Sequence, residues 1–222
     1  MTNRFERLFQ LPQNQYIEGS PVILAAGVLS KDNETGSIIA QLKFQSVSEK
    51  RIKAVKVSLA AYDVSKADIQ GVNDYQYLEL DVANGQEFGA NRAIVMPNPV
   101  SRSFAVSAIT VVFIDGTMWE NTVPFATLPT VKPLSFGNAE MEKQYRIATN
   151  NSAQYVPVED KGLWQCACGV WNISSSCTHC HIPQNKVFSA FNIGLLTEQM
   201  NVRLAAEAEQ RRIDAEKEAE KK

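Results

Sequence analysis

The sequence predicts a mainly β protein: an immunoglobulin-like antiparallel β-sandwich, then a small four-cysteine ribbon, then a charged C-terminal helix. Three observations carry that expectation. Between about residues 20 and 122, apolar residues recur with period two between frequent turn signals, and no helical period intervenes. All four cysteines of the 222-residue chain lie between positions 166 and 180. Twelve of the last twenty residues are charged, six acidic and six basic. The expected segments are an N-terminal extension over 1–19, the sandwich over 20–122, a linker with a short helix over 123–160, the ribbon over 161–185 and the helical tail over 186–222.

The strands follow in order. In Ile38 to Phe44 the even positions are apolar while Gln41, Lys43 and Gln45 face the other way, the signature of a half-buried strand. Ile52 to Tyr62 repeats it, with Val55, Val57, Leu59 and Ala61 on one side. Tyr75 to Val82 aligns Leu78, Leu80 and Val82. Arg92 to Met96 is short and closed by Pro97 and Pro99, which suits an edge. Ser103 to Ile114 is nearly all apolar or small, and its parity slips between Ala108 and Ile109. That slip marks either a β-bulge or a strand buried on both faces. Asp115-Gly116 then predicts a two-residue hairpin turn before Met118-Trp119.

Past residue 122 the pattern changes. Pro124, Pro129 and Pro133 punctuate an extended stretch. Glu140 to Ala148 reads as a short helix with Asn138 as N-cap, Glu140 and Glu142 near its N-terminus, and Asn150-Asn151-Ser152 as its stop. From about Leu195 the chain reads as a solvated helix. Leu196, Met200 and Leu204 give it a modest apolar stripe, too short for a coiled-coil seam.

The cysteines carry the chemistry. Cys166 and Cys168 form one pair and Cys177 and Cys180 a second, and two such pairs across a short loop wrap one tetrahedral ion. Structural Zn2+ is the expected occupant, with Cys166, Cys168, Cys177 and Cys180 as ligands. Iron in a rubredoxin-like site needs similar ligands, usually with two residues inside each pair, where the first pair here has one. Gly169 fits a tight turn that aims backbone N–H groups at thiolate sulfur, and Trp164 packs over the site as its small core. A segment this small gains its stability from the metal. His179 and His181 read as surface residues; a three-cysteine, one-histidine set is the alternative.

Four cysteines close the coordination shell, so the site reads as structural rather than catalytic. Both histidines sit beside it, and no Gly-rich phosphate loop, nucleophile elbow or paired-carboxylate motif occurs. Asp63, Asp81 and Asp115 fall at strand ends or turns, where Asp is common for turn reasons. The net charge of −2 disfavours a general affinity for nucleic acid. No apolar leader opens the sequence, no run approaches the length of a membrane span, and clustered thiols suit a reducing compartment. The expected setting is cytoplasmic, including the cytoplasmic part of a longer, membrane-anchored protein.

The pattern Trp164-x-Cys166-x-Cys168-x3-Asn172, followed by Cys177-x2-Cys180, resembles the Ran-binding-protein type of zinc finger over some twenty residues. It departs in having Cys-x-Cys as its first pair and a loop shorter by two before Cys177. The resemblance implies ubiquitin or single-stranded RNA as ligands, but the readout residues differ. Gly169-Val170 replaces a Thr-Phe pair, and Ile173, Ser174, Ser175 and Ser176 replace an aromatic and arginines. Over most of its length the chain also looks like a group of uncharacterised zinc-ribbon proteins of Gram-positive bacteria. Ile52 to Val57, Tyr75 to Leu78 and Val112 to Gly116 carry that likeness, which implies no particular activity.

The resulting expectation is a non-catalytic zinc-binding protein, an interaction or scaffold module with an unidentified protein partner. The alternative is nucleic-acid binding through the ribbon, with Trp171 stacking on a base, although residues 162–183 hold no Arg or Lys. An enzyme of unrecognised type is a third reading.

Overall fold

The structure, a computed structural model, describes residues 4–219. The described residues are mainly β, with antiparallel sheets, three helices and a cysteine cluster. The chain divides into two units. One ends at Thr130 and takes in Asp160–Gly162; the other comprises Val131–Glu159 and continues from Leu163.

The first unit is built on two sheets. In the larger, β3 (Val22–Asp32) and β4 (Ile38–Ser46) form a long antiparallel pair. β1 (Phe5–Gln10) and β2 (Gln15–Tyr16) both pair with β3. β7 (Glu87–Phe88) and β8 (Ala93–Val95) both pair with β4, and β11 (Ala126–Thr127) extends beyond β2. The second sheet runs β10 (Met118–Asn121), β9 (Ser103–Phe113), β5 (Ile52–Tyr62), β6 (Asp68–Tyr77). Side chains from both sheets meet in one core, among them Leu24, Leu42 and Phe44 from the first and Val57, Leu59, Phe104 and Val111 from the second. The alternation expected for β4 and β5 is present: the even positions 38–44 and residues 55, 57, 59 and 61 are all buried.

Several expectations are corrected. The first nineteen residues, expected as an extension, supply β1 and β2, and Phe9 packs against the core. β6 begins at Asp68 and ends at Tyr77, so Leu78, Leu80 and Val82 do not line one strand. Glu79 turns the chain with a φ of 55°; Leu78 is exposed, and Val82 returns to bridge Ile52. The parity slip in β9 is a bulge: Ser58 faces Ala108 but Leu59 faces Val106, which leaves Ser107 as the extra residue. It lies just before the expected position, and buried residues shift from 104 and 106 to 109, 111 and 113. The hairpin after β9 has a three-residue loop rather than two. Phe113 N–H bonds Thr117 C=O, Gly116 N–H bonds Phe113 C=O, and Gly116 takes the left-handed position at φ 82°.

A three-stranded sheet runs β12 (Val158–Asp160), β13 (Leu163–Gln165), β14 (Trp171–Asn172) in that order, and all of it but Asp160 belongs to the second unit. Helix α1 (Ala139–Ala148) starts as expected: Asn138 Oδ1 accepts from the N–H groups of Glu140 and Met141. It ends where Asn150 and Asn151 turn left-handed. The tail is two helices rather than one. α2 (Gln184–Ala190) follows Pro183, and α3 (Ile193–Ala219) starts after Asn192, whose Oδ1 accepts the Leu195 N–H. Among the described residues no helix is long and apolar enough to cross a membrane.

The segment expected as a linker belongs to the core of this unit. Leu134, Tyr145 and Ala153 pack with Trp164, Cys166, Ala167, Cys177, Ile182, Val187 and Leu196. The cysteine segment therefore has far more apolar support than Trp164 alone. Tyr145, fully buried, donates its hydroxyl to the Val187 carbonyl and ties α1 to α2.

Candidate metal centre

Two backbone turns present the sulfurs. In the first, Gly169 N–H bonds the Cys166 carbonyl at 2.8 Å and Cys166 N–H bonds the Val170 carbonyl at 2.9 Å. Gly169 has a φ of 98°, and a Cβ there would come within 2.9 Å of the Tyr155 ring. Left-handed backbone and close ring contact together explain the glycine. The Ala167 carbonyl accepts from the N–H groups of both Gln154 and Tyr155, which anchors the turn to the segment that follows α1. In the second turn, His181 N–H bonds the Cys177 carbonyl and Cys177 N–H bonds the Ile182 carbonyl, both at 2.9 Å. His181 takes the left-handed backbone position, with a φ of 59°.

These turns bring the four cysteine sulfurs within 4.8 Å of one another. Cys166 and Cys180 sulfurs lie 3.5 Å apart, as do those of Cys168 and Cys177. That is too long for a disulfide bond, and all four are free thiols. A tetrahedral ion with metal–sulfur bonds of about 2.3 Å sets its sulfurs roughly 3.8 Å apart, inside the observed span. The donor set and the spacing fit a tetrahedral thiolate site.

Electrostatics explain why such a cluster calls for a cation. Hydrogen bonding to Cys168 and Cys177, together with burial, pushes the Cys166 thiol far up. For Cys168, the hydrogen bond with Cys166 favours ionisation. The bond with Cys177 and burial outweigh it, and the thiol is pushed up to about 12. Cys177 is held low, because Cys166, Cys168 and the backbone N–H groups of Cys180 and His179 all stabilise its thiolate. Without a cation, negative charge is favoured on Cys177 and disfavoured on Cys166 and Cys168. A divalent ion removes that mutual repulsion. The expected N–H groups aimed at sulfur are present: Val170 serves Cys168, and His179 and Cys180 serve Cys177.

The two turns are locked together by residues that carry no metal ligand. Asn172 Nδ2 donates to the Val170 carbonyl at 2.8 Å, and its Oδ1 accepts from Thr178 N–H at 2.8 Å and the Thr178 hydroxyl at 3.0 Å. Trp164 is buried, and its indole N–H donates to the Ser174 carbonyl, pinning the loop between the pairs. Thr178 went unnoticed in the sequence; the Asn172 position in the finger-like pattern was the signal that could have found it.

The remaining candidates fall elsewhere. His179 and His181 are exposed and stand outside the four-sulfur group; their contribution is through backbone N–H. Trp171 is 2% exposed, so it presents no face for a base to stack on, contrary to the expectation for the nucleic-acid reading. Asp63 closes a turn through Ser65 and Ala67. Asp81 pairs with Arg51 at 2.6 Å. Asp115 pairs with Lys50 and accepts from Thr117, which holds its carboxyl at about 2.

Comparison with known proteins adds little. No family model matches the chain, and no curated protein matches it. Among solved structures, the chain is similar to a DUF1425 family member from Shewanella sp. pv-4 determined at 1.81 Å resolution. Identity is 12%, and the match covers 56% of this chain and 99% of that one, with a TM-score of 0.28. Similarity at that level bears on neither the fold nor the function of this chain.

Proposed function

We propose that this chain is a non-catalytic zinc-binding protein whose ion staples a small ribbon, and that it works as a protein-interaction or scaffold module. One observation carries the reading: among the described residues four cysteine sulfurs, joined by no His, Asp or Glu ligand atom, converge within 4.8 Å. Four thiolates fill a tetrahedral shell, which leaves no position for water or substrate. All-sulfur tetrahedral sites suit zinc or iron, and zinc is the occupant assigned here. In this reading the two sheets of the first unit are the faces of an immunoglobulin-like sandwich. The cysteine unit is a ribbon akin to the Ran-binding-protein type finger and to the zinc-ribbon proteins of Gram-positive bacteria. A reducing, cytoplasmic setting keeps the thiols available. The partner is a protein, and short edge strands such as β8 and β10 offer backbone groups for strand addition.

Metal analysis of the purified chain tests the site: about one zinc per chain, lost in Cys177→Ser. Iron at that stoichiometry, or a metal-free chain with the cysteine segment folded, overturns the zinc assignment. The interaction role is tested by cross-linking in the source cell: a specific protein partner supports it. A mobility shift with single-stranded nucleic acid that weakens with salt would replace it with the nucleic-acid reading.

A further inference from the structure

We propose that the cysteine cluster is also a peroxide-reactive modification site, in which oxidation joins Cys168 to Cys177 and Cys180 to Cys166. Burial divides the four sulfurs into two kinds. Cys168 and Cys180 are partly exposed, whereas Cys166 is 0% and Cys177 1% exposed. Each exposed sulfur stands 3.5 Å from a buried sulfur of the opposite turn. One exposed thiolate with one sheltered thiolate in reach is the arrangement that turns a reversible oxidation into a disulfide. The arrangement occurs twice, and in both cases it crosses between the turns.

The chemistry balances with a hydroperoxide as oxidant. An exposed thiolate attacks the peroxide: an S–O bond forms, the O–O bond breaks, and water leaves after protonation, giving a sulfenic acid. The sheltered thiolate then attacks that sulfur: the S–S bond forms, the S–O bond breaks, and a second water leaves. Each disulfide takes two electrons from two sulfurs and consumes one hydrogen peroxide. For a zinc tetrathiolate, two hydrogen peroxides and four protons give two disulfides, four waters and free Zn2+. The thiolate state of the exposed sulfurs and the release of the ion rest on the zinc reading above; the choice of partners rests on the sulfur spacing alone.

Closing each pair from 3.5 Å to the usual disulfide length of about 2 Å is a short movement. The new bonds tie together the same two turns that the ion ties. The surrounding core of Leu134, Tyr145, Trp164, Ile182, Val187 and Leu196 contains no group that the oxidation alters. The unit therefore exchanges one staple for two and stays folded.

The sequence supplies a direct test. Residues 162–183 hold no Lys or Arg, but Trp171 lies between the two cysteine pairs. The 222-residue, zinc-loaded chain is treated with excess hydrogen peroxide while a chromophoric chelator reads zinc release. The chain is then denatured, its remaining thiols are blocked, and it is cut with chymotrypsin after Trp171. The expected result is zinc release with both cysteine fragments still disulfide-linked, and tandem mass spectrometry assigning 168–177 and 166–180. Fragments that separate, with Cys177 bonded to Cys180, overturn the proposal. So do the pairing 166–177 with 168–180, sulfinic or sulfonic acids, or no reaction. A chain that starts without zinc yet gives the cross-turn linkage sinks the zinc reading and leaves the pairing standing.

Discussion

Asn172 bridges the two cysteine turns by accepting both the backbone N–H and the hydroxyl of Thr178, while its own amide donates to the carbonyl of Val170. It is fully buried and its partners Val170 and Thr178 are half-buried, so water replaces the lost bonds only in part. Asn172→Ala should therefore destabilise the metal unit by about 1–3 kcal/mol. Groups that orient ligands also matter to affinity, and a zinc competition titration should show a loss of about 10–100-fold. Unchanged affinity would mean that the turns hold their own geometry.

Metal affinity should rise with pH. Cys166 is pushed far up and Cys168 to about 12, so the metal-free cluster holds protons that binding must release. Lowering the pH strengthens proton competition for the sulfurs and weakens binding. Competition titrations at several pH values, with calorimetry in two buffers, should show affinity falling as pH drops and protons released on binding. A pH-independent affinity would contradict a thiolate site.

Acid should remove a defined contribution from the first unit. Asp32 accepts two bonds from Arg4 and one from the Glu34 N–H, and its carboxyl is held at about 2, against 3.8 for a free group. A depressed folded-state value means the contribution is complete above the unfolded value and lost as pH falls through about 2. The pH dependence of urea midpoints should show this limb, and Asp32→Asn should flatten it.

The two units have separate cores, and this is checkable. Phe104 is 2% exposed in the core of the first unit, and Phe104→Ala should cost roughly 3–5 kcal/mol there. A chelator should loosen the cysteine unit and leave the first unit's core amides protected. Hydrogen exchange read by mass spectrometry distinguishes the two; joint unfolding would show coupling.

Arg203 should hold α3 on α1. Its guanidinium donates to Gln144, Glu140 and Glu207, and Lys143 adds a second contact to Glu207. Arg203→Met should speed hydrogen exchange in α1 and in the first half of α3, with little change in β13 and β14. High salt should act in the same direction on the wild type.

The sequence made some elements legible because local physics decides them. Period-two alternation over Ile38 to Phe44 and over Ile52 to Tyr62 marks half-buried strands whatever they pair with. Asn138 caps α1 because its side chain reaches the next N–H groups in the chain. The cysteine spacing likewise brings its own sulfurs together through two tight turns. Tyr75 to Val82 misled because one residue with positive φ, Glu79, breaks a pattern that composition alone continues. The hairpin at Asp115-Gly116 misled because Phe113 rather than Ile114 closes the loop.

By itself, then, the sequence determined the β-rich first half, the N-cap of α1, and a four-cysteine group with metal-binding spacing. Only the tertiary structure decided that residues 5–16 complete a sheet, that residues 131–159 enclose the cysteine turns, and that Arg203 meets Glu140. The physical reason is range. Periodicity, capping and short turns are set within a few residues, whereas burial and pairing join groups far apart in sequence, such as Tyr145 with Val187. Which cysteine sulfurs are sheltered and which face solvent belongs to that second class, because the packing of α1, α2 and Trp164 around the turns determines it.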